Sequence, residues 1–172
     1  MIIKKVPGEG RKQLEIVLAN FVNNKKVGKV GWFEKSKYPN GTQVAQVAAI
    51  QEYGSTSKKI PPRPFMRPTI RAKQNEWSSI SFKLAKEVIK GKRRPQDVLE
   101  LLGLKAAGQI RKTISDLYTP SLAFSTIQGR LRRAGVGGVG RPYTRAEIGN
   151  LYKPLIDTGL MYGTLINVVE NE

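Results

Sequence analysis

The chain has 172 residues and a formal net charge of +17, from 30 Lys and Arg against 13 Asp and Glu. It contains no Cys and no His, which excludes disulfide scaffolds, thiolate nucleophiles, zinc fingers, His-based metal sites and Ser-His-Asp triads. Any metal site would have to use carboxylates, carbonyls and hydroxyls. The length suits one domain, or a domain with a sizeable extension, and a hydrophobic fraction of 40% can supply a core.

The N-terminal Met1 to Lys5 is not followed by an apolar core of signal-peptide length. No run approaches the ~18 apolar residues of a membrane helix. The expectation is a soluble protein made inside the cell, without membrane contact.

In chain order, Leu14, Val17, Leu18 and Phe21 fit one face of a short helix, although the alternation Leu14, Ile16, Leu18 also suits a strand. Lys26 to Glu34 is rich in β-favouring residues, and Gly28 and Gly31 oppose helix, so a strand is expected. Pro39-Asn40-Gly41 is a turn signal. The next helix should start with Thr42 as N-cap, carry the stripe Val44, Val47, Ala48, and end at Gly54.

Ser55 to Pro68 contains Pro61, Pro62, Pro64 and Pro68, so helix is expected only from Thr69 to about Ile89. There Trp77, Ile80, Leu84 and Val88 form a narrow apolar stripe. Pro95 suits the first turn of another helix, with Val98, Leu102, Ala106, Ile110 and Ile114 at helical spacing. Thr119 to Arg145 holds five Arg and no acid, and reads as a long, Gly-rich basic loop. Leu165, Ile166, Val168 and Val169 look like a closing strand. The fold class is α+β: a small, mainly antiparallel sheet packed with two or three helices. Residues 1–172 form one domain, with a flexible or assembly-ordered insertion at about 119–150.

Charge is concentrated. Lys58 to Arg94 carries twelve Lys or Arg against Glu76 and Glu87. Such a surface suits a polyanion; a solvated helix face is the alternative. No helix-turn-helix, RNP-type aromatic pair or zinc spacing is present, so phosphate contact would be nonspecific. Gly135 to Gly140 (GVGGVG) lacks the Gly-Lys-Ser/Thr of a phosphate loop and reads as a hinge. The few acids mostly lie beside Lys or Arg, which leaves no acid–base pair: catalytic, metal and cofactor sites are all expected to be absent.

Three stretches, VGWFEKSKYPNGTQVAQVAAIQEYG (30–54), IPPRPFMRPTI (60–70) and KPLIDTGLMYGTLINVV (153–169), stand in this order along the chain. Together they resemble the tail-completion, or tail-terminator, neck proteins of long-tailed bacteriophages, and share part of their pattern with phage virion-morphogenesis proteins. The resemblance implies a structural protein of the head–tail junction. It would be made in the host bacterial cytoplasm and reside in the virion neck as a homo-oligomeric ring, typically hexameric. The ring would cap the tail and meet the head connector and the tail tube or sheath. It implies no catalytic residues.

On that footing Pro61, Arg63, Pro64, Phe65, Met66 and Arg67 form a stiff loop suited to contacting a neighbouring subunit. The alternative for Phe65 is packing into its own core. Arg130, Arg132, Arg133, Arg141 and Arg145 would face either a lumen with passing DNA or a neighbouring protein. Asp157, Thr158 and Gly159 form a structural turn, and Glu52 pairs with Arg63 or Arg67. The rival readings are a nonspecific nucleic-acid-binding protein and a phage assembly chaperone absent from the virion.

Overall fold

The structure, a computed structural model, describes residues 25–135 and 149–171, with Lys12, Glu15, Ile16 and Ala19 ahead of them. Those four N-terminal positions are helical. The elements that follow are β1 (Lys26–Gly31), α1 (Val44–Tyr53), α2 (Met66–Ile89), α3 (Pro95–Asp116) and α4 (Phe124–Arg133). A 3-10 turn (Gly149–Tyr152), α5 (Leu160–Gly163) and β2 (Ile166–Asn171) complete them. The class is α+β: among the residues described from Lys25 onward, β1 and β2 form a two-stranded antiparallel sheet beside five helices. No described helix is long and apolar enough to cross a membrane.

The chain divides into two compact units. One comprises Met1–Val30, Lys73–Ala107 and Ile166–Glu172; the other comprises Gly31–Ala72 and Gly108–Leu165. In the first, the α2 stripe meets the start of α3: Val88 and Val98 are buried, with Leu84 and Leu102 against them. The sheet lies along α3. Lys26 Nζ donates to Gln96 Oε1 at 2.5 Å, and Asn167 Nδ2 to the Glu100 carbonyl at 3.4 Å. A Cβ on Gly103 would stand 2.7 Å from that of Asn167, so this helical glycine makes room for the strand.

In the second unit the core is Val44, Ala48, Phe65, Ile110, Ile114, Leu131, Leu155, Met161 and Leu165. α1 contacts α5, and α4 contacts the 3-10 turn. Trp32 stands edge-on to Phe65, with ring centroids 5.8 Å apart, and donates from Nε1 to the Met161 carbonyl at 2.8 Å.

Three expectations need correction. Thr42 is not the N-cap of α1. Its N–H is taken by Asn40 Oδ1 and its carbonyl by the N–H of Tyr38, while Gln43 bridges Lys37 in an extended conformation. Helix therefore starts only at Val44, without a side-chain cap. Second, α2 begins at Met66 rather than Thr69. Pro68 falls in its first turn, where a helix has no use for the missing N–H. Third, the basic segment from 119 is not loop throughout. Phe124–Arg133 is helical, with Ile127 and Leu131 one turn apart and Leu131 buried. Arg130, Arg132 and Arg133 fall in its last turn, where cations suit the helix dipole. Of the hinge expected at Gly135 to Gly140, only Gly135 is among the described residues, and 136–140 lie outside them, as do Arg141 and Arg145.

Candidate assembly surface

Every contact in this section lies within the second unit. α1 carries Val44, Ala48 and Glu52 on its buried side, so a carboxylate follows two apolar residues inward. Glu52 is only 4% exposed. Its Oε2 accepts the backbone N–H groups of Phe65 at 2.7 Å and Met66 at 2.9 Å. Its Oε1 accepts the N–H of Arg67 at 3.1 Å and Nε of the same residue at 2.9 Å. A side chain from α1 thus caps the free donors at the start of α2, and Pro68 supplies none. Burial alone would raise the Glu52 pKa. The backbone donors of Met66 and Phe65 and the donors of Arg67 outweigh it, and the net shift is downward.

Arg67 also stacks its guanidinium over Tyr53, 4.6 Å from the ring centroid. Of the two partners open to Glu52 in the sequence, Arg67 is the one used. Arg63 turns elsewhere. It is buried, and donates to Gln51 Oε1 at 3.1 Å, to the Pro120 carbonyl at 2.8 Å and to the Ser121 carbonyl at 3.0 Å. Burial, and then the charge of Arg130, lower the Arg63 pKa. Gly54 ends α1 at φ 78 and ψ 178, a region essentially confined to glycine. A Cβ there would lie 2.9 Å from both the Ile60 carbonyl and the Pro62 nitrogen.

Arg130 forms the second anchor, and is 5% exposed. Its Nη1 donates to the carbonyls of Leu151, Lys153 and Ile156 at 3.0, 2.8 and 2.9 Å, and Nη2 to that of Pro154 at 3.4 Å. One guanidinium thereby fixes the whole 151–156 segment. Nε is buried without a hydrogen bond, 3.4 Å from Asp157 Oδ1. Arg133 pairs with Asp157 Oδ2 at 2.7 Å. Burial lowers the Arg130 pKa, Asp157 opposes that, and Arg133 adds to it. Burial, then the Asp157 charge, raise the pKa of Tyr38. Tyr38, Arg130, Asp157 and Thr158 line a cleft of about 380 Å³, together with the apolar Val47, Leu155 and Met161.

The residues expected to meet a neighbour therefore separate into two groups. Arg63 and Phe65 are buried in their own unit, so core packing describes Phe65 and the subunit-contact reading of these two is corrected. Pro61 and Arg67 are exposed, and Pro64 and Met66 half-buried. Beside them a shallow apolar groove of about 270 Å³ is lined by Trp32, Ala45, Ala49, Tyr53 and Met66. Arg130 does not face outward, because its guanidinium is consumed internally; Arg132 and Arg133 are exposed. Thr158 Oγ1 accepts the Leu160 N–H at 3.4 Å and Gly159 has φ 77, so the turn forms through Thr158. Asp157 instead serves the two arginines.

Sequence reading missed Arg130 as an anchor, although its place between Ile127 and Leu131 on the apolar side of α4 was the available signal. Among the described residues no group of three or more Asp and Glu could hold a metal ion. No family model matches the chain, and comparison with curated proteins and with solved structures gives no significant match to either.

Proposed function

We propose that this protein is a structural component of the phage neck, a ring-forming tail-completion or tail-terminator protein that joins the tail to the head connector. The observation that supports the reading is that most of the three resembling stretches, residues 31–54, 60–70 and 153–165, falls in one unit. Glu52 of the first binds Phe65, Met66 and Arg67 of the second, and Trp32 of the first binds Met161 of the third. The role requires no catalysis. It requires a rigid surface for neighbours, and the exposed Pro61 of the proline-stiffened loop, with the exposed Tyr53 at the end of α1 and Arg67 at the Glu52-capped start of α2, supplies a preorganised one.

The test is quantitative mass spectrometry of particles purified from cells that encode the chain, with its copies counted against the portal protein. A small fixed number, equal to or half the portal count, is expected of a ring with closed symmetry. Absence from mature particles overturns the neck reading and leaves an assembly chaperone or a nucleic-acid-binding protein.

A further inference from the structure

Exposed positive charge collects where α2 turns into α3, in the first unit. Ion-pair accounting isolates the relevant residues. Arg93 pairs with Glu87, and Arg94 with Asp97 at 2.8 Å. Lys73 and Lys105 share Glu76. No described carboxylate pairs with Lys83, Lys86, Lys90 or Lys92, and all four are exposed. Lys25, exposed and next to the Lys26 that bonds Gln96, joins the same end.

This arrangement does not serve the helix. Lys83 and Lys86 stand at i and i+3 on one face of α2, Lys90 follows just past its end at i+7, and like charges at such spacing destabilise a helix by roughly 0.2–0.5 kcal/mol per pair. The α2 C-terminus offsets part of this for Lys86 and Lys90 through its dipole, but Lys83 lies before the last turn.

The turn is also rigid, unlike a solvated tail. Gly91 takes the left-handed conformation at φ 70 and donates to the Val88 carbonyl, while Lys92 N–H reaches back to Glu87 O at 2.9 Å. This is a Schellman closure. On the far side Asp97 accepts the Arg94 N–H at 3.2 Å, half of a capping box at the start of α3. The backbone that carries Lys90 and Lys92 is therefore defined by hydrogen bonds, while their side chains stay free to reach a partner.

We infer that the α2–α3 turn, with Lys83, Lys86, Lys90 and Lys92 as its free cations, is a binding surface for the phosphate backbone of duplex nucleic acid. Residues 83 to 90 span about 10 Å of helix axis, a length over which duplex DNA carries several phosphates. The turn itself, Lys90-Gly91-Lys92-Arg93-Arg94, carries four cations in five residues, and that density of charge favours nucleic acid over an anionic membrane, although Phe82 and Ile89 are exposed on α2 just before it. Recognition is by charge alone, so binding is independent of sequence and steeply salt-dependent. This surface differs from the one expected at Arg130, Arg132 and Arg133, where one arginine is buried and another paired. The inference goes beyond the neck assignment and does not rest on it, since the virion count and a binding assay can fail separately.

Fluorescence anisotropy of the purified full chain with a short labelled DNA duplex, over a range of KCl concentrations, tests it. A variant carrying K83Q, K86Q, K90Q and K92Q is compared with one carrying K35Q, K37Q, K58Q and K59Q, which loses the same charge from exposed sites in the other unit. The turn variant should lower the slope of log affinity against log salt by roughly 3–4, at about 0.9 per lost phosphate contact, and the control by less than about 1. Its melting temperature should be unchanged or higher, which separates lost binding from lost folding. Equal loss in both variants, or no DNA binding by the native chain, overturns the inference. So does binding to phosphatidylserine–phosphatidylcholine vesicles that depends on these lysines while DNA binding does not.

Discussion

Glu52 Oε2 accepts the backbone N–H of Phe65 at 2.7 Å across thirteen residues of chain. The carboxylate of one helix thereby closes the start of the next, and Phe65, 1% exposed, is fixed beneath it. Replacing Glu52 with Gln keeps the shape but leaves one oxygen to accept what two accepted. We expect Glu52→Gln to cost about 1–3 kcal/mol, the usual range for buried donors left unpaired. Urea unfolding at neutral pH measures it, and a variant as stable as the native chain would remove Glu52 from this role.

The same contact sets a pH dependence. The folded-state pKa of Glu52 lies below its ordinary value of 4.5. Its stabilisation is therefore complete above that ordinary value and is lost as pH falls through the lower, folded value. The stability of the native chain should drop more steeply than that of Glu52→Gln over this acid range. Parallel curves would show that other carboxylates dominate.

Arg130 serves four carbonyls with one planar group, which a lysine cannot copy. Arg130→Lys and Arg130→Met should each destabilise by about 3 kcal/mol or more, as expected for a buried charged network broken at one partner. The exposed Arg132→Gln should change stability by less than about 0.5 kcal/mol. Chemical denaturation of the three side by side decides the matter, and equal effects at 130 and 132 would refute the anchor.

Glycines provide a third comparison. Gly54→Ala meets a left-handed backbone and two atoms at 2.9 Å, so it should cost well over about 1 kcal/mol. Gly108 and Gly129 lie in helix interiors with nothing within 4 Å of a new Cβ. Alanine there should stabilise by up to about 1 kcal/mol each. Thermal melts that rank Gly54→Ala with the other two would contradict the geometry.

Tyr38 carries a spectroscopic reporter. Burial and then Asp157 raise its pKa above the ordinary 10.0. In ultraviolet titration of tyrosinate, with Tyr38→Phe used to identify the Tyr38 component, Asp157→Asn should move that component toward lower pH, while leaving a residual shift from burial. An unchanged profile would mean that Asp157 is spent on its arginines.

Much of the local structure was legible along the chain. The stripe Leu84, Val88 on α2 and Val98, Leu102 on α3 forms one buried cluster, as their spacing expects, because helical periodicity alone selects which face is apolar. Pro95 begins α3 and Gly54 ends α1 for equally local reasons. The start of α2 was misread because its cap comes from Glu52, outside the local window. α4 was hidden because a basic, Gly-flanked segment with few apolar residues carries little periodic signal, and its stability comes from Leu131 and Arg130 reaching partners elsewhere in the unit.

By itself, then, the sequence determined which segments can be helix or strand, where glycine and proline must punctuate them, and that catalysis by Cys or His is impossible. Those are properties of single residues and short periods. Which charges are free was decided only by tertiary structure. Arg63 and Arg130 are consumed by carbonyls, Arg67 and Arg133 by carboxylates, while Lys83, Lys86, Lys90 and Lys92 keep their charge for solvent or a partner. The reason is physical: formal charge is written residue by residue, but its availability depends on partners that lie far apart along the chain.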